Sequence, residues 1–257
     1  MSSNTYQALV FDLDGTAIPN SPQGMPSARL KAAIAAARDR VHLIAATTRP
    51  FRFALPVVKA LGLTDPCVVG GGTTIISPSG EILRRTVIPQ AVVKSILDTL
   101  KEYPYDVSIG DQFDDTGHPT SIPTLDDVDI IFVAPVSDHD VLLLRKHIEP
   151  LHDLSFIVAP SWTAGMHAVT LTHKTATKEH AIREILQKLS IDSSRAIGVG
   201  DGDNDIHLFA AVGHRIAMGN ATAQLKSIAD ETAPTIDDDG LASIIEKYCL
   251  TEGKDHV

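Results

Sequence analysis

Apolar and polar positions alternate in blocks over the first 69 residues. The run Ala8–Phe11 is continuously apolar, the mark of a strand buried on both faces of a parallel sheet, and the strand is expected near residues 7–13. A helix near 27–39 opens after Pro26 with Ser27 as a cap and carries Leu30, Ala33, Ile34 and Ala37 at helical spacing. Further alternation predicts a strand near 41–46, a helix near 51–62 and a short strand near 67–69. This is βαβ grammar, which builds a mainly parallel sheet covered by helices.

After Gly80 the texture changes. Pro89, Pro104, Pro119, Pro123, Pro135, Pro150 and Pro160 break the chain into short strands and two helices, near 90–102 and 138–149. From about residue 174 the earlier grammar returns, with a helix near 178–189, strands near 196–200 and 215–218, and helices near 205–211, 221–229 and 241–248. A core interrupted by an insertion is the simplest reading, with a core of residues 1–83 and 174–257 and an inserted domain of 84–173.

Chemistry concentrates where two of the buried strands end. Asp12-Leu13-Asp14-Gly15-Thr16 closes the first, and Gly200-Asp201-Gly202-Asp203-Asn204-Asp205 closes the run at 196–199. Ligands of open α/β sheets bind at that carboxyl edge, so distant acids can meet there. Clustered carboxylates repel one another and raise one another's pKa unless a cation compensates them. Magnesium is the expected ion, a hard cation that takes oxygen ligands and bridges to phosphate, since neither His nor Cys accompanies the acids at zinc spacing.

Composition narrows the classes. The chain of 257 residues is 44% apolar, enough for a substantial core, and its formal charge of −10 argues against a nucleic-acid partner. No apolar run reaches membrane-spanning length and no signal-like segment precedes the first strand, so no membrane partner and a cytoplasmic location are expected. Cys67 and Cys249 lack disulfide or metal spacing and read as structural.

The motifs together resemble the haloacid dehalogenase superfamily of phosphatases, specifically its Cof-like IIB branch. Asp12-x-Asp14-Gly15-Thr16 matches the first motif and Leu43-Ile-Ala-Ala-Thr47-Thr48-Arg49 the second. Thr177-Lys178-x-x-Ala181 resembles the third, and Gly200-Asp201-Gly-Asp-Asn204-Asp205 matches the fourth. Gly219-Asn220-Ala221 and Asp239-Gly240 extend the likeness toward the end of the chain. Two positions depart from the family pattern: Thr48 stands where Gly is common, and Gly70-Gly71-Gly72 where Asn-Gly is common.

The resemblance implies a Rossmann-like three-layer α/β core with an inserted α/β cap of the C2B type. It implies a Mg2+-dependent phosphatase of small phosphorylated metabolites, sugar phosphates above all. Asp12 would be the nucleophile and Asp14 the acid and base. Thr47, Thr48, Lys178 and Asn204 would bind phosphate, and Asp12, Asp14, Asp201 and Asp205 would hold the metal. Taken singly, Thr47 also reads as a helix cap, Lys178 as a solvated helix lysine, and Asp203 as a turn residue. Arg49 is read as a partner for a core acid and stays outside the catalytic set. Trp162, His167 and Asp111 are candidates for substrate selection within the insertion. A phosphomutase using the same phosphoaspartate and a non-catalytic phosphosugar sensor are the competing readings.

Overall fold

The computed structural model describes residues 6–21, 23–101, 103–110, 127–151, 153–161 and 163–251. It divides into two compact units, the first formed by residues up to Arg84 and from Thr177 onward, the second by Arg85–Ala176. In chain order the first unit starts with β1 (Ala8–Phe11), α1 (Ala28–Ala37), β2 (His42–Ala45), α2 (Phe51–Leu61), β3 (Cys67–Val69) and β4 (Thr74–Ile76), and β5 (Ile82–Arg85) runs to the boundary, its last residue being the first of the second unit. The second unit contains α3 (Gln90–Leu100), β6 (Asp106–Ile109), β7 (Ile130–Val136), α4 (Asp138–Ile148), β8 (Leu154–Pro160) and β9 (His167–His173). The first unit resumes with α5 (Lys178–Lys188), β10 (Ala196–Gly200), α6 (Ile206–Phe209), β11 (His214–Ala217), α7 (Ala223–Ser227), β12 (Glu231–Thr232) and α8 (Gly240–Ile245).

The first unit is built on a sheet of order β12-β11-β10-β1-β2, parallel throughout. A parallel bridge from Ala46 to Val68 continues it toward β3, which pairs with β4. Every residue of β1 and β10 is buried, as their apolar sequences require. The helices fall into two contacting groups, α1 with α2 and α8, and α5 with α6. Helix α1 starts where Ser27 Oγ accepts the Leu30 N–H at 3.0 Å, and it buries Leu30, Ala33, Ile34 and Ala37. Each large aliphatic side chain buried this way contributes roughly 1.5–3 kcal/mol of transfer free energy.

The second unit has an antiparallel sheet of order β6-β7-β9-β8 and its own core, in which Val93, Ile96 and Leu100 of α3 and Leu144 and Ile148 of α4 cluster with Ile131, Val133, Val169 and Leu171. It is a separate α/β body in the middle of the chain. No helix among the described residues is long and apolar enough to cross a membrane.

Candidate active site

The parallel ladder carries three adjacent strands to one edge. The Asp12 N–H donates to the Val199 carbonyl at 3.0 Å, and the Ala46 N–H to the Phe11 carbonyl at 2.8 Å. Asp12, Thr47 and Asp201 therefore leave β1, β2 and β10 at the same end of the sheet. Gly15 then turns the chain with φ +74°, and a Cβ there would sit 2.2 Å from Asp201 Oδ2. Only glycine permits that approach with that backbone. The Thr16 hydroxyl donates to Asp201 Oδ1 at 3.2 Å, tying the first motif to the fourth.

Lys178 is the first residue of α5, whose N-terminus Thr177 caps by accepting the His180 N–H at 3.3 Å. It lies on the face that also buries Ala181, Ile182, Ile185 and Leu186, so the helix turns a lysine into the interior. The side chain is 2% exposed, and its Nζ donates to Asp12 Oδ1 and to Asp205 Oδ1, both at 2.6 Å. The solvated reading of Lys178 is thereby excluded. Gly72, with φ +115°, lets the turn after β3 press on this helix start, since a Cβ there would lie 2.2 Å from the Thr177 carbonyl carbon.

Asp205 is fully buried, and its second oxygen accepts the N–H groups of Asp201 (3.0 Å) and Gly202 (3.1 Å). Asp12, Asp201 and Asp205 each bring a carboxylate oxygen within 4.8 Å of the others, a group that could hold a metal ion. Their environment has the electrostatics of an uncompensated cluster. Burial pushes the Asp12 carboxyl up, to about 7, with Lys178 opposing and Asp205 adding to the rise. Asp201 rises to about 6, from burial first and then from Asp205. Burial works against the charge of Lys178, but its two carboxylate partners outweigh it and raise its pKa. Burial raises the two carboxyls, and the surplus of acids over one ammonium adds to that rise while it keeps the lysine protonated. Hard oxygen donors carrying surplus negative charge fit a small divalent cation.

Asp14, half-buried, is held by Arg49, whose Nε and Nη2 reach its two oxygens at 2.7 and 2.5 Å. The core acid expected as Arg49's partner is thus Asp14 itself. Thr47 is buried, and its Oγ1 accepts the Arg49 N–H at 3.0 Å. It does not cap α2, whose N-cap is Pro50 with no side-chain hydrogen bond. Thr48 and Asn204 are exposed, and with Asp12, Asp14, Asp201 and Arg49 they line a cleft of about 650 Å³. Asn204 reaches the rim, whereas the ammonium of Lys178 takes its partners from Asp12 and Asp205. Asp203 accepts from the Thr222 hydroxyl at 2.6 Å, so it secures the following loop.

Asn220 supplies a contact that its motif alone did not disclose. Its amide donates to the Gly15 carbonyl at 2.8 Å and accepts the Ile236 N–H at 2.9 Å, bracing the first-motif turn from the far end of the chain. Of the residues considered for substrate selection, His167 belongs to the second unit and pairs with Asp138 at 2.5 Å. Trp162 and Asp111 lie outside the described residues.

A parallel α/β core thus brings a carboxylate cluster and a buried lysine together at one edge of its sheet. The family model described as haloacid dehalogenase-like hydrolase matches residues 9–117 and 121–245. The chain belongs to this family, and it is an enzyme of the phosphatase kind. Among curated relatives, the 5-amino-6-(5-phospho-D-ribitylamino)uracil phosphatase YitU of Bacillus subtilis (strain 168) is 24% identical over 93% of this chain and 96% of its own. The HMP-PP phosphatase of Serratia proteamaculans (strain 568) is 25% identical, with 87% of each chain covered. The fold is shared with the HAD subclass IIB sugar phosphatase BT4131, with TM-score 0.72, 20% identity, and coverage of 95% of this chain and 100% of that one.

Proposed function

We propose that the chain is a magnesium-dependent phosphatase that hydrolyses monoesters of small phosphorylated metabolites, sugar phosphates first among them, through an aspartyl-phosphate on Asp12. The observation that carries this reading is the Asp12 carboxylate, which lines the cleft while Lys178 fixes its Oδ1 at 2.6 Å. That leaves Oδ2 to attack phosphorus. As the phosphorus–oxygen ester bond breaks, Asp14 gives its proton to the departing alkoxide, then takes one from the water that attacks the phosphorus of the aspartyl-phosphate. Asp12 is regenerated and inorganic phosphate leaves.

Asp12, Asp201 and the backbone carbonyl of Asp14 would hold Mg2+, with Asp205 in or beside the shell. Both oxygens of Asp205 already serve Lys178 and two backbone N–H groups, which suits a residue that orients the true ligands. When bound, the ion neutralises the meeting negative charges of carboxylate and phosphate. Thr47 accepts from the Arg49 N–H, so its own O–H is free to donate to a phosphoryl oxygen. The ammonium of Lys178 and the Thr48 N–H complete the set of donors for the transferring oxygens.

The names of the relatives span a sugar phosphatase, a 5-amino-6-(5-phospho-D-ribitylamino)uracil phosphatase and an HMP-PP phosphatase, which supports small metabolites as the class. The inserted unit is proposed to carry the choice of leaving group. The test is phosphate release from a panel of phosphorylated metabolites, with Mg2+ or with chelator, beside Asp12→Asn. Magnesium-dependent release abolished by the substitution is expected. Isomerised product without phosphate release would establish a mutase instead, and binding without turnover would establish a sensor.

A further inference from the structure

We propose that Arg49 is the positioning residue for Asp14, setting the carboxylate that protonates the leaving group. The inference rests on the phosphatase reading and extends it to a residue outside the four motif roles assigned above. Asp14 stands on the turn beyond β1, where its neighbour Leu13 is fully buried but its own side chain faces a cleft. Asp14 makes a single backbone bridge, to Ile18, and that pairing does not fix the two rotors of its side chain. Arg49 supplies the restraint with a two-point fork, Nε to Oδ2 at 2.7 Å and Nη2 to Oδ1 at 2.5 Å.

The fork is itself anchored. Nη2 also donates to the Ser21 carbonyl at 2.7 Å, and the Arg49 backbone N–H donates to Thr47 Oγ1 at 3.0 Å. Arg49 thus joins the ends of β1 and β2 and the loop after β1 into one frame around Asp14. Each Asp14 oxygen gives one lone pair to the fork and keeps another for a proton. The plane of the carboxylate is fixed while its capacity for proton transfer survives. Lysine has the charge but not the fork.

Leaving groups distinguish positioning from binding and from a structural role. An alkoxide leaving group needs a proton as it departs, whereas p-nitrophenolate hardly does, so disordering Asp14 penalises alkyl esters selectively. We would measure kcat/KM, which reports the step up to phosphoryl transfer, for a sugar phosphate and for p-nitrophenyl phosphate. The proteins would be wild type, Arg49→Ala, Arg49→Lys, Asp14→Asn and the double variant Asp14→Asn/Arg49→Ala.

Arg49→Ala should lower kcat/KM on the order of 100-fold for the sugar phosphate and by less than about 5-fold for the nitrophenyl ester, with Arg49→Lys in between. In the Asp14→Asn background, Arg49→Ala should add no more than about 3-fold, because two residues acting as one unit are not additive. Equal losses on both esters, or full additivity with Asp14→Asn, would overturn the proposal in favour of general structural damage or direct phosphate binding. Should Arg49→Ala fail to fold, Arg49→Lys carries the same comparison. A wild-type protein that hydrolyses neither ester, or an Asp12→Asn variant that still turns over, would overturn the phosphatase reading itself and with it the role of Arg49. Wild-type turnover with a uniform Arg49 effect removes the proposal alone.

Discussion

Lys178 and Asp12 are 166 residues apart in sequence, and the ammonium of the one lies 2.6 Å from the carboxylate of the other, both side chains nearly without solvent. The pair ties the start of α5 to the end of β1. It also sets how the site tolerates change, because each partner is buried for the sake of the other.

Removing the ammonium should unsettle both function and fold. Lys178→Met leaves Asp12 and Asp205 buried side by side without their cation, and breaking a buried pair in this way costs about 3–5 kcal/mol. Denaturant unfolding with chelator present should show that loss, and magnesium should restore part of it. A variant as stable as wild type in chelator would mean that the acids have another compensating partner.

The acid cluster should respond to pH in a direction opposite to that of an ordinary salt-bridged carboxylate. Asp201 titrates near 6 in the folded protein and Asp12 is also raised, against an unfolded value near 3.8. The native state then holds more protons than the unfolded chain between about pH 4 and 7, so the stability of the metal-free protein falls as pH rises through that window. Thermal melts in chelator from pH 4.5 to 8, wild type against Asp201→Asn, check this. The variant should show the shallower decline, and an unchanged slope would remove Asp201 from the account.

Magnesium should act on the same groups with the opposite sign, since it binds the deprotonated acids and displaces their protons. The rise in Tm on adding Mg2+ should be larger at pH 8 than at pH 5. Asp201→Ala should weaken the ion at least ~100-fold by titration calorimetry, beyond what loss of a supporting residue gives. Unchanged affinity would place the metal elsewhere.

Gly15 offers a test of the turn between the two acidic motifs. With φ +74° and a would-be Cβ 2.2 Å from Asp201 Oδ2, Gly15→Ala must shift either the turn or the acid. A stability cost of about 1–3 kcal/mol is expected from the backbone, with turnover down on the order of 100-fold from the displaced carboxylate. The milder Asn220→Ala removes a brace on the Gly15 carbonyl and should cost about 1 kcal/mol with a smaller loss of rate. Full activity in Gly15→Ala would show that Asp201 tolerates relocation.

The sequence by itself determined a good deal of this protein. Apolar runs such as Ala8–Phe11, the spacing of Leu30, Ala33, Ile34 and Ala37, and the Asp-Gly punctuation after the strands are local signals, and strand, helix and strand-end acids follow from them. The interruption after Gly80 and the return of βαβ grammar near 174 are visible for the same reason. Only the tertiary structure decided which charged groups meet. Lys178 read alone is a surface lysine, and its burial depends on α5 laying its apolar face inward. Thr47 read alone is a helix cap, yet its oxygen accepts from Arg49 and α2 starts without it. Arg49 was legible as a partner for an acid, but not as the fork on Asp14, and Asn220 was legible as a motif, but not as the brace on Gly15. Periodicity is carried by neighbours a few residues apart, whereas the direction of a charged side chain is fixed by desolvation and by partners tens to hundreds of residues away, which exist only once the sheet has brought its strand ends together.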